Sequence, residues 1–409
     1  MPRKRVWIVG AGFSRSLGGP LMPDLLSLSA HHDIRARYGQ QFDQHELDRI
    51  FWLYHVGAGL PEGQLDPDLP VRANRRWRDA EQFLEVLDNA CSDPAQAAVL
   101  DEVFATIRMS AFRCDLPFPA LFSDSAPNPV PRDLLAFAKR VVAASCSTFL
   151  EGVTRKSART KERWLPYQQW LGSLRETDTI LSFNYDRVIE LLSPTVGAVR
   201  ANGEESRWGV QVMGVDEATL EDEFEARAAR LPALYKLHGS VDWSLEDRGG
   251  QERVVRNEWA PALLNGRSKL AIATPGDSKM QMAGGHFKRL WDGAADALRV
   301  ADEIHIIGFR FPPSDAFPRD RILAPVLENE QDALNIHVVL GPDRGPDLRR
   351  VLALLQRTAV IRSTLDGHIG SSQLRMLIEQ PLWAEDHLSV WAGAEAGILN
   401  LPVPRVDPI

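Results

Sequence analysis

Val6 to Pro20 reads V-W-I-V-G-A-G-F-S-R-S-L-G-G-P, a short apolar run followed directly by a glycine-rich turn and a polar segment. This pattern predicts a buried parallel strand, a tight loop and the start of a helix. Gly10 and Gly12 allow the backbone to turn sharply and to approach a ligand closely. Nucleotide phosphates could then bind backbone N–H groups at the helix start. A G-x-G turn after a strand also serves purely structural ends, so both interpretations are open at this point.

Length and composition indicate an ordinary globular protein. The chain has 409 residues, of which 44% are apolar and 25% charged, and its formal net charge is −8. That charge argues against binding of nucleic acid by the whole surface. Arg3, Lys4 and Arg5 precede only four apolar residues, too few for a signal peptide, and no later run reaches the ~18 apolar residues of a membrane helix. We therefore expect a cytoplasmic protein without membrane or direct nucleic-acid contact.

The metal-ligating residue types are scattered along the chain. Cys91, Cys114 and Cys146 are isolated, so they form neither a disulfide framework nor a C-x-x-C zinc pair. The ten histidines show no H-x-x-x-H spacing. We therefore expect no metal site and no zinc module.

The segment after the first loop does not continue as in an ordinary dinucleotide fold. Such a fold has a second strand ending in Asp or Glu about 20 residues further on, whereas Asp24 to Gln44 is polar and lacks a β-branched run. Arg15 stands where the third glycine of G-x-G-x-x-G would be. Helical spacing of apolar residues then predicts helices over 79–90 and 131–150, separated by a Pro- and Ser-rich loop over 116–131. These features predict a large helical insertion.

Strand-like runs resume after the insertion, and a polar group follows most of them. We expect strands at 179–183, 234–237, 270–273, 303–307, 335–340 and 358–361, a helix at 286–300, and an excursion over the surface at 201–230. Strands alternating with helices predict an α/β fold with a parallel sheet. Ligands of such sheets bind beyond the carboxyl ends of the strands, so the polar groups would converge on the mouth of the first loop.

Asn184, Asp186 and His238 are the polar residues at these strand ends that suit catalysis. Asn and Asp two residues apart after a strand are also typical of a turn that caps a helix, and a single His before Gly is often structural. Together they can do more: an amide can hold water or a ribose hydroxyl, and a histidine can accept the proton as that oxygen attacks.

At these residues the chain resembles the sirtuins, and in particular the zinc-free sirtuin-like domains of bacterial anti-phage defence. The resemblance spans roughly residues 5–345 and lies in four motifs that follow the family's order. They are Gly10-Ala11-Gly12-Phe13-Ser14, Asn184-x-Asp186, Leu237-His238-Gly239-Ser240-Val241-Asp242-Trp243, and Ala301 to Phe309 with Asp315 further on.

The resemblance implies a Rossmann-like NAD-binding sheet with helices on both faces, and it implies residue roles where the motifs match. Gly10, Ala11, Gly12, Phe13 and Ser14 would hold the NAD diphosphate. Asn184 would position water and ribose, Asp186 would contact the nicotinamide carboxamide, and His238 would act as the base. Gly308 would lie near the diphosphate or the adenosine ribose, and Asp315 belongs to the same substrate-binding set.

The chain departs from the deacetylases of that family at several points. It lacks the four-cysteine zinc module that frames their peptide cleft, and Gly19 to Asp24 stands in place of the run G-I-P-x-F-R. Arg310 replaces the family's serine, and Asp343 stands near the position of the asparagine that contacts the adenine ribose. The resemblance therefore favours hydrolysis of NAD over deacylation of a peptide.

The sequence thus predicts an NAD glycohydrolase that uses NAD as a substrate and acts in anti-phage defence by NAD depletion. An NAD-dependent protein deacylase and a non-catalytic NAD or ADP-ribose sensor remain as alternatives. Such a hydrolase needs control, so we expect a homo-oligomer or a partner, which by resemblance would be a HerA-type ATPase or another defence protein. The expected division is an NAD-binding domain at 1–30 and 171–365, a helical insertion at 31–170, and a C-terminal helix and tail at 366–409.

Overall fold

The computed structural model of the chain describes residues 3–59, 75–114, 128–158, 161–193, 210–217, 231–312, 316–331, 333–341, 346–365, 373–378 and 383–395. Eleven strands lie in these ranges: β1 (Arg5–Val9), β2 (Thr179–Ser182), β3 (Gln211–Val212), β4 (Asp216–Glu217), β5 (Ala233–Lys236), β6 (Gly239–Asp247), β7 (Glu252–Arg256), β8 (Lys269–Ile272), β9 (Glu303–Ile307), β10 (Ala333–Val339) and β11 (Gln373–Ile378).

The same ranges contain fourteen α-helices: α1 (Ala11–Ser14), α2 (Leu28–Tyr38), α3 (Gln44–Ala58), α4 (Ala80–Asn89), α5 (Pro94–Cys114), α6 (Pro131–Thr148), α7 (Arg155–Ala158), α8 (Leu165–Ser173), α9 (Val188–Leu192), α10 (Asp277–Gly284), α11 (Lys288–Arg299), α12 (Ala316–Leu327), α13 (Pro346–Leu365) and α14 (Ala384–Glu395).

Seven of the strands form one parallel sheet in the spatial order β11-β10-β9-β1-β2-β5-β3. β1 lies in the middle, with Val6 opposite Thr179 on one side and Ile304 on the other. From β1 the chain continues to β2 and β5 in one direction, and later through β9, β10 and β11 in the other. The crevice at the carboxyl ends of β1 and β9 is therefore the switch point, where α/β sheets bind ligands.

Helices cover both faces of this sheet, because successive side chains of a strand point to opposite faces. Val6 and Ile8 pack in a core with α11, α12 and α13. Trp7 and Val9 pack in a second core with α1, α8, α9 and α14. The predicted α/β, Rossmann-like architecture with helices on both faces is thus confirmed.

A large helical insertion separates β1 from β2, as predicted. The helices expected at 79–90 and 131–150 are α4 and α6, and they share a third apolar core with α2, α3 and α5. Part of a small second sheet, in the order β4-β7-β6-β8, packs against this core through Val241, Leu270 and Ile272.

Two predicted strands differ in the structure. The strand at 270–273 is β8, but it pairs antiparallel with β6 in the small sheet. The run at 358–361 lies inside α13, where Val351, Leu355 and Thr358 are buried at helical spacing. A short apolar run cannot by itself distinguish a strand from a buried helix turn.

The last described segment of the chain adds a strand to the main sheet and a helix to one of its faces. β11 forms one edge beside β10, and α14 packs against α8. Most of the predicted loop at 116–131 and of the predicted excursion at 201–230 lies outside the described residues.

Candidate functional site

The glycine-rich loop after β1 packs backbone to backbone against the turn after β9. The Gly10 N–H donates to the Ile307 carbonyl at 3.0 Å, and the Gly12 N–H donates to the Gly308 carbonyl at 3.2 Å. A Cβ on Gly10 would lie 2.7 Å from the Gly308 oxygen. Gly308 itself has a φ of +65°, a conformation that favours glycine. The three glycines are therefore required by the contact between these two loops.

This packing leaves few loop amides for a ligand. The N–H groups of Gly10 and Gly12 have the acceptors just described, and the Phe13 N–H donates to the Gly10 carbonyl at 2.8 Å. The Ala11 N–H has no acceptor among the residues that the structure describes. A bound phosphate would thus meet the amide of Ala11, rather than a full row of N–H groups.

Ser14, Asn184 and Asp186 form one buried hydrogen-bonded group below the loop. The Ser14 hydroxyl donates to Asp186 Oδ2 at 2.8 Å, and Asn184 Nδ2 donates to Ser14 Oγ at 3.5 Å. The other Asp186 oxygen accepts the N–H of Val188, the first residue of α9, at 3.0 Å, so Asp186 also forms the turn before α9. Asp186 can therefore form the turn before α9 and belong to the functional site at the same time.

Lys236 contacts the backbone of the group formed by Ser14, Asn184 and Asp186. Its ammonium contacts the Asp186 carbonyl oxygen and forms a buried ion pair with Glu190 at 2.9 Å. Lys236 and Glu190 are 1% and 5% exposed. Removing either partner would leave a buried charge uncompensated, so the pair holds the turn at 184–188 in place.

His238 lies at the end of β5 and is buried, with its ring edge-on to Phe183 at a centroid distance of 4.9 Å. Its Nε2 atom is buried and has no hydrogen-bond partner among the described residues. Burial lowers the pKa of His238 well below its usual value, and the positive charge of Lys279 lowers the pKa further. The ring is therefore neutral near pH ~7, and a neutral imidazole can accept a proton at the ring nitrogen that carries none.

Asn184, Asp186 and His238 line one pocket of about 440 Å³ at the predicted edge of the sheet. That volume falls within the range of about 300–1,000 Å³ that is typical of small-molecule sites. Seven of the residues singled out from the sequence line it: Gly10, Ala11, Gly12, Asn184, Asp186, His238 and Gly308.

Two of the other predicted residues do not line the pocket, and two more lie outside the described residues. The Phe13 ring is buried against Tyr167 and Trp170, and the Phe13 carbonyl accepts the Tyr167 hydroxyl at 2.7 Å. Ser14 does not line the pocket and acts through Asp186 and Asn184. Asp315 and Asp343 fall outside the residues that the structure describes.

Several cations surround the pocket, most of them already paired. Arg15 forms an ion pair with Asp24 at 2.7 Å while lining the pocket. Arg310 and Arg350 both pair with Asp347, at 3.1 and 2.8 Å. Lys279 is 5% exposed and also lines the pocket. Four cationic side chains among the described residues therefore line the pocket, and three of them are paired with carboxylates.

Sequence reasoning passed over three further lining residues. Phe309 stacks on Phe183 at a ring distance of 3.9 Å, which gives the pocket an apolar wall. Cys146 comes from α6 in the helical insertion, and burial followed by the charge of Asp186 raises the pKa of its thiol, so it does not act as a thiolate nucleophile. Trp383 precedes α14 at the far end of the chain. No sequence motif links these positions, because they meet only in the folded protein.

A second polar group lies on the sheet, away from this pocket. Glu303, His305 and His337 bring ligand atoms within 4.8 Å of one another. However, His305 stacks on His337 at a ring distance of 4.4 Å and an angle of 8°, and on Trp7 at 3.9 Å. A metal lies in the plane of each imidazole that binds it, so two parallel rings do not direct their nitrogens at one ion. We interpret this group as a packed ladder under α14, where His305 Nδ1 lies 3.3 Å from His387 Nε2.

Because of this buried histidine ladder, we expect the folded protein to lose stability in acid. Burial, followed by the charges of His337, His387 and Arg5, lowers the pKa of His305 well below 6.5. The pKa of His305 is thus lower in the folded than in the unfolded protein. Its contribution to the free energy of unfolding is therefore complete above about pH 6.5. That contribution is lost as the pH falls below this value, by up to about 1.4 kcal/mol per pH unit. Denaturant unfolding between about pH 7.5 and 5.5 should show a shallower slope for His305→Gln than for the parent.

The exposed His45 provides the matched control, and His45→Gln should keep the parent slope. Equal slopes for the parent and His305→Gln would contradict the assignment of a neutral, buried His305.

No helix in the described part of the chain is both long enough and apolar enough to cross a membrane. No protein-family model matches the sequence, and comparison with curated proteins finds no significant match.

Proposed function

We propose that the chain is an NAD glycohydrolase that cleaves NAD to nicotinamide and ADP-ribose. The observation that carries this proposal is the buried, neutral His238, whose Nε2 has no partner among the described residues, in the same pocket as Asn184 and Asp186. The pocket lies at the switch point of a parallel sheet, where nucleotides bind in folds of this type.

Hydrolysis of NAD requires few chemical groups from the protein. The glycosidic C–N bond of NAD breaks with its electron pair moving to the pyridinium nitrogen, so nicotinamide leaves neutral and needs no acid. The ribose carbon passes through an oxocarbenium-like state, as in glycoside hydrolysis. Water then forms the new C–O bond, and His238 takes the proton that water loses.

The other residues position the substrate. The Asn184 amide, held through Ser14, orients the water or a ribose hydroxyl. Asp186 fixes this arrangement through its bonds to Ser14 and Val188, and by the resemblance it would contact the nicotinamide carboxamide. Arg15, Lys279 and the Ala11 N–H lie where they can offset the charge of the diphosphate.

We further propose that the chain is a zinc-free sirtuin-like effector of anti-phage defence and acts in the cytoplasm, where depletion of NAD arrests an infected cell. This part rests on the resemblance of the motifs. An enzyme that depletes NAD must be held inactive, so we expect control by homo-oligomerisation or by a partner such as a HerA-type ATPase.

The test is to incubate the full purified chain with NAD, with and without an acetyl-lysine peptide, and to quantify nicotinamide and ADP-ribose. We expect both products in equal amounts without peptide, from the chain alone or once the proteins encoded beside it are added. Nicotinamide release only with peptide would indicate a deacylase instead. Saturable NAD binding without product, in the chain alone and with the proteins encoded beside it, would indicate a sensor.

A further inference from the structure

We propose that a second cavity, lined by other residues of α10 than the NAD pocket, binds a compact polyphosphate anion. This cavity, the basic groove, lies between α6, the small sheet of β6, β7 and β8, and the segment from α10 to the start of α11. Its volume is about 960 Å³.

The groove has a strongly positive lining in a chain of net negative charge. Seven lysine and arginine side chains line it, against Glu252 as the single carboxylate among its described lining residues. The whole chain carries a net charge of −8, so this concentration of positive charge is local. A concave wall of one sign raises the local concentration of the opposite ion.

Much of this positive charge has no partner within the described protein. Lys269 pairs with Glu252 at 2.6 Å. By contrast, Arg132, Lys139, Arg267 and Arg289 form no ion pair with another residue that the structure describes. Repulsion among cations held this close is relieved by a bound anion, and several phosphates offset it better than one.

Lys139 is the half-buried lysine of the groove lining. Burial lowers its pKa, the nearby charges of Asp88 and Cys91 oppose that shift, and Lys269 adds to it. A cation partly withdrawn from water gains more from a bound phosphate than an exposed cation does. The groove lining therefore combines one half-buried lysine with exposed arginines.

The walls favour a compact ligand over a nucleic-acid strand. They are aliphatic, with Leu135, Leu245, Leu270, Ile272 and Met282, and no Phe, Tyr or Trp is among the described lining residues. Single-strand binding sites normally offer aromatic side chains on which bases stack. The volume is also that of a small-molecule site.

The basic groove is a site separate from the NAD pocket. α10 separates the two, because Ser278, Gln281 and Met282 line the groove while Lys279 lines the pocket. The inference does not depend on NAD hydrolysis, since it concerns binding at other residues.

The experiment measures binding of inorganic tripolyphosphate to the full chain by calorimetry at about 50 mM salt, where screening is weak. We expect saturable binding, unaffected by saturating NAD. Arg267→Gln/Arg289→Gln should weaken it roughly tenfold. The control Arg163→Gln/Arg357→Gln removes the same charge from exposed positions outside the groove and should retain affinity within about twofold.

Both groove arginines are exposed, so the double variant should melt like the parent. Arg132→Gln is a second variant at another exposed position in the groove, to be used if the first does not fold. Absence of binding, equal affinity of the groove and control variants, or displacement by NAD would each overturn the proposal. Groove-dependent binding of a single-stranded oligonucleotide without binding of tripolyphosphate would also overturn it, in favour of nucleic acid.

Discussion

Replacing His238 by alanine is expected to lower the rate of NAD hydrolysis by about 10²–10⁴-fold, the usual contribution of a general base. His238 is buried, with Nε2 unpartnered within the described protein, and its lowered pKa keeps it able to accept a proton at neutral pH. Asn184→Ala should cause a loss of about 10²-fold or more, because the water or ribose hydroxyl is then no longer oriented. The measurement is nicotinamide release at saturating NAD, under conditions in which the parent is active.

The controls separate chemistry from folding. His45→Ala removes an exposed histidine on α3 and should retain the parent rate. His238→Ala should retain NAD binding while it loses turnover, since the diphosphate is held elsewhere. If His238→Ala and Asn184→Ala both turned over NAD like the parent, the assignment of this site would be wrong whatever the activity of the chain.

Gly308→Ala is expected to destabilise the protein by about 2–4 kcal/mol. The new Cβ would lie 2.5 Å from the backbone of Gly12 and Phe13, so the first loop or the turn after β9 must move. The φ of +65° adds the cost of a left-handed conformation for a residue with a Cβ. Because the loop lines the pocket, NAD affinity should fall as well. Denaturant unfolding and NAD titration measure the two effects.

Gly152 supplies a matched control with almost the same backbone conformation. Its φ is +67°, and a Cβ there would meet no atom within 4 Å. Gly152→Ala should therefore cost only the conformational term, about 1 kcal/mol. If the two variants were equally stable, the close contact between Gly12 and Gly308 would not be a constraint on this fold.

A strand was predictable from the sequence where its apolar pattern matches a position that is buried in the sheet. Val6 to Val9 form a short apolar run bounded by a glycine turn, and this run is the central strand with both faces buried. The helix α6 was predictable from its long apolar stripe. The strand predicted at 358–361 was wrong, because a short run of apolar residues fits a strand and a helix equally well.

The site was predictable in part for a topological reason. Parallel strands end at one edge, so Asn184 after β2, His238 after β5 and Gly308 after β9 had to meet near Gly10 and line one pocket. The direction of each side chain did not follow from topology. Phe13 turned inward to the core, since its apolar ring gains more from packing against Trp170 than from facing a polar pocket.

The sequence by itself determined the parallel sheet, the helical insertion and the group of polar residues at one sheet edge. These follow from local periodicity and from the rule that strand ends share an edge. Only the tertiary structure decided that the loop amides are largely occupied, that His238 is buried and neutral, and that a basic groove lies behind α10. Those properties depend on the burial of individual polar side chains and on distances between residues far apart in the chain, which the linear pattern did not specify at these positions.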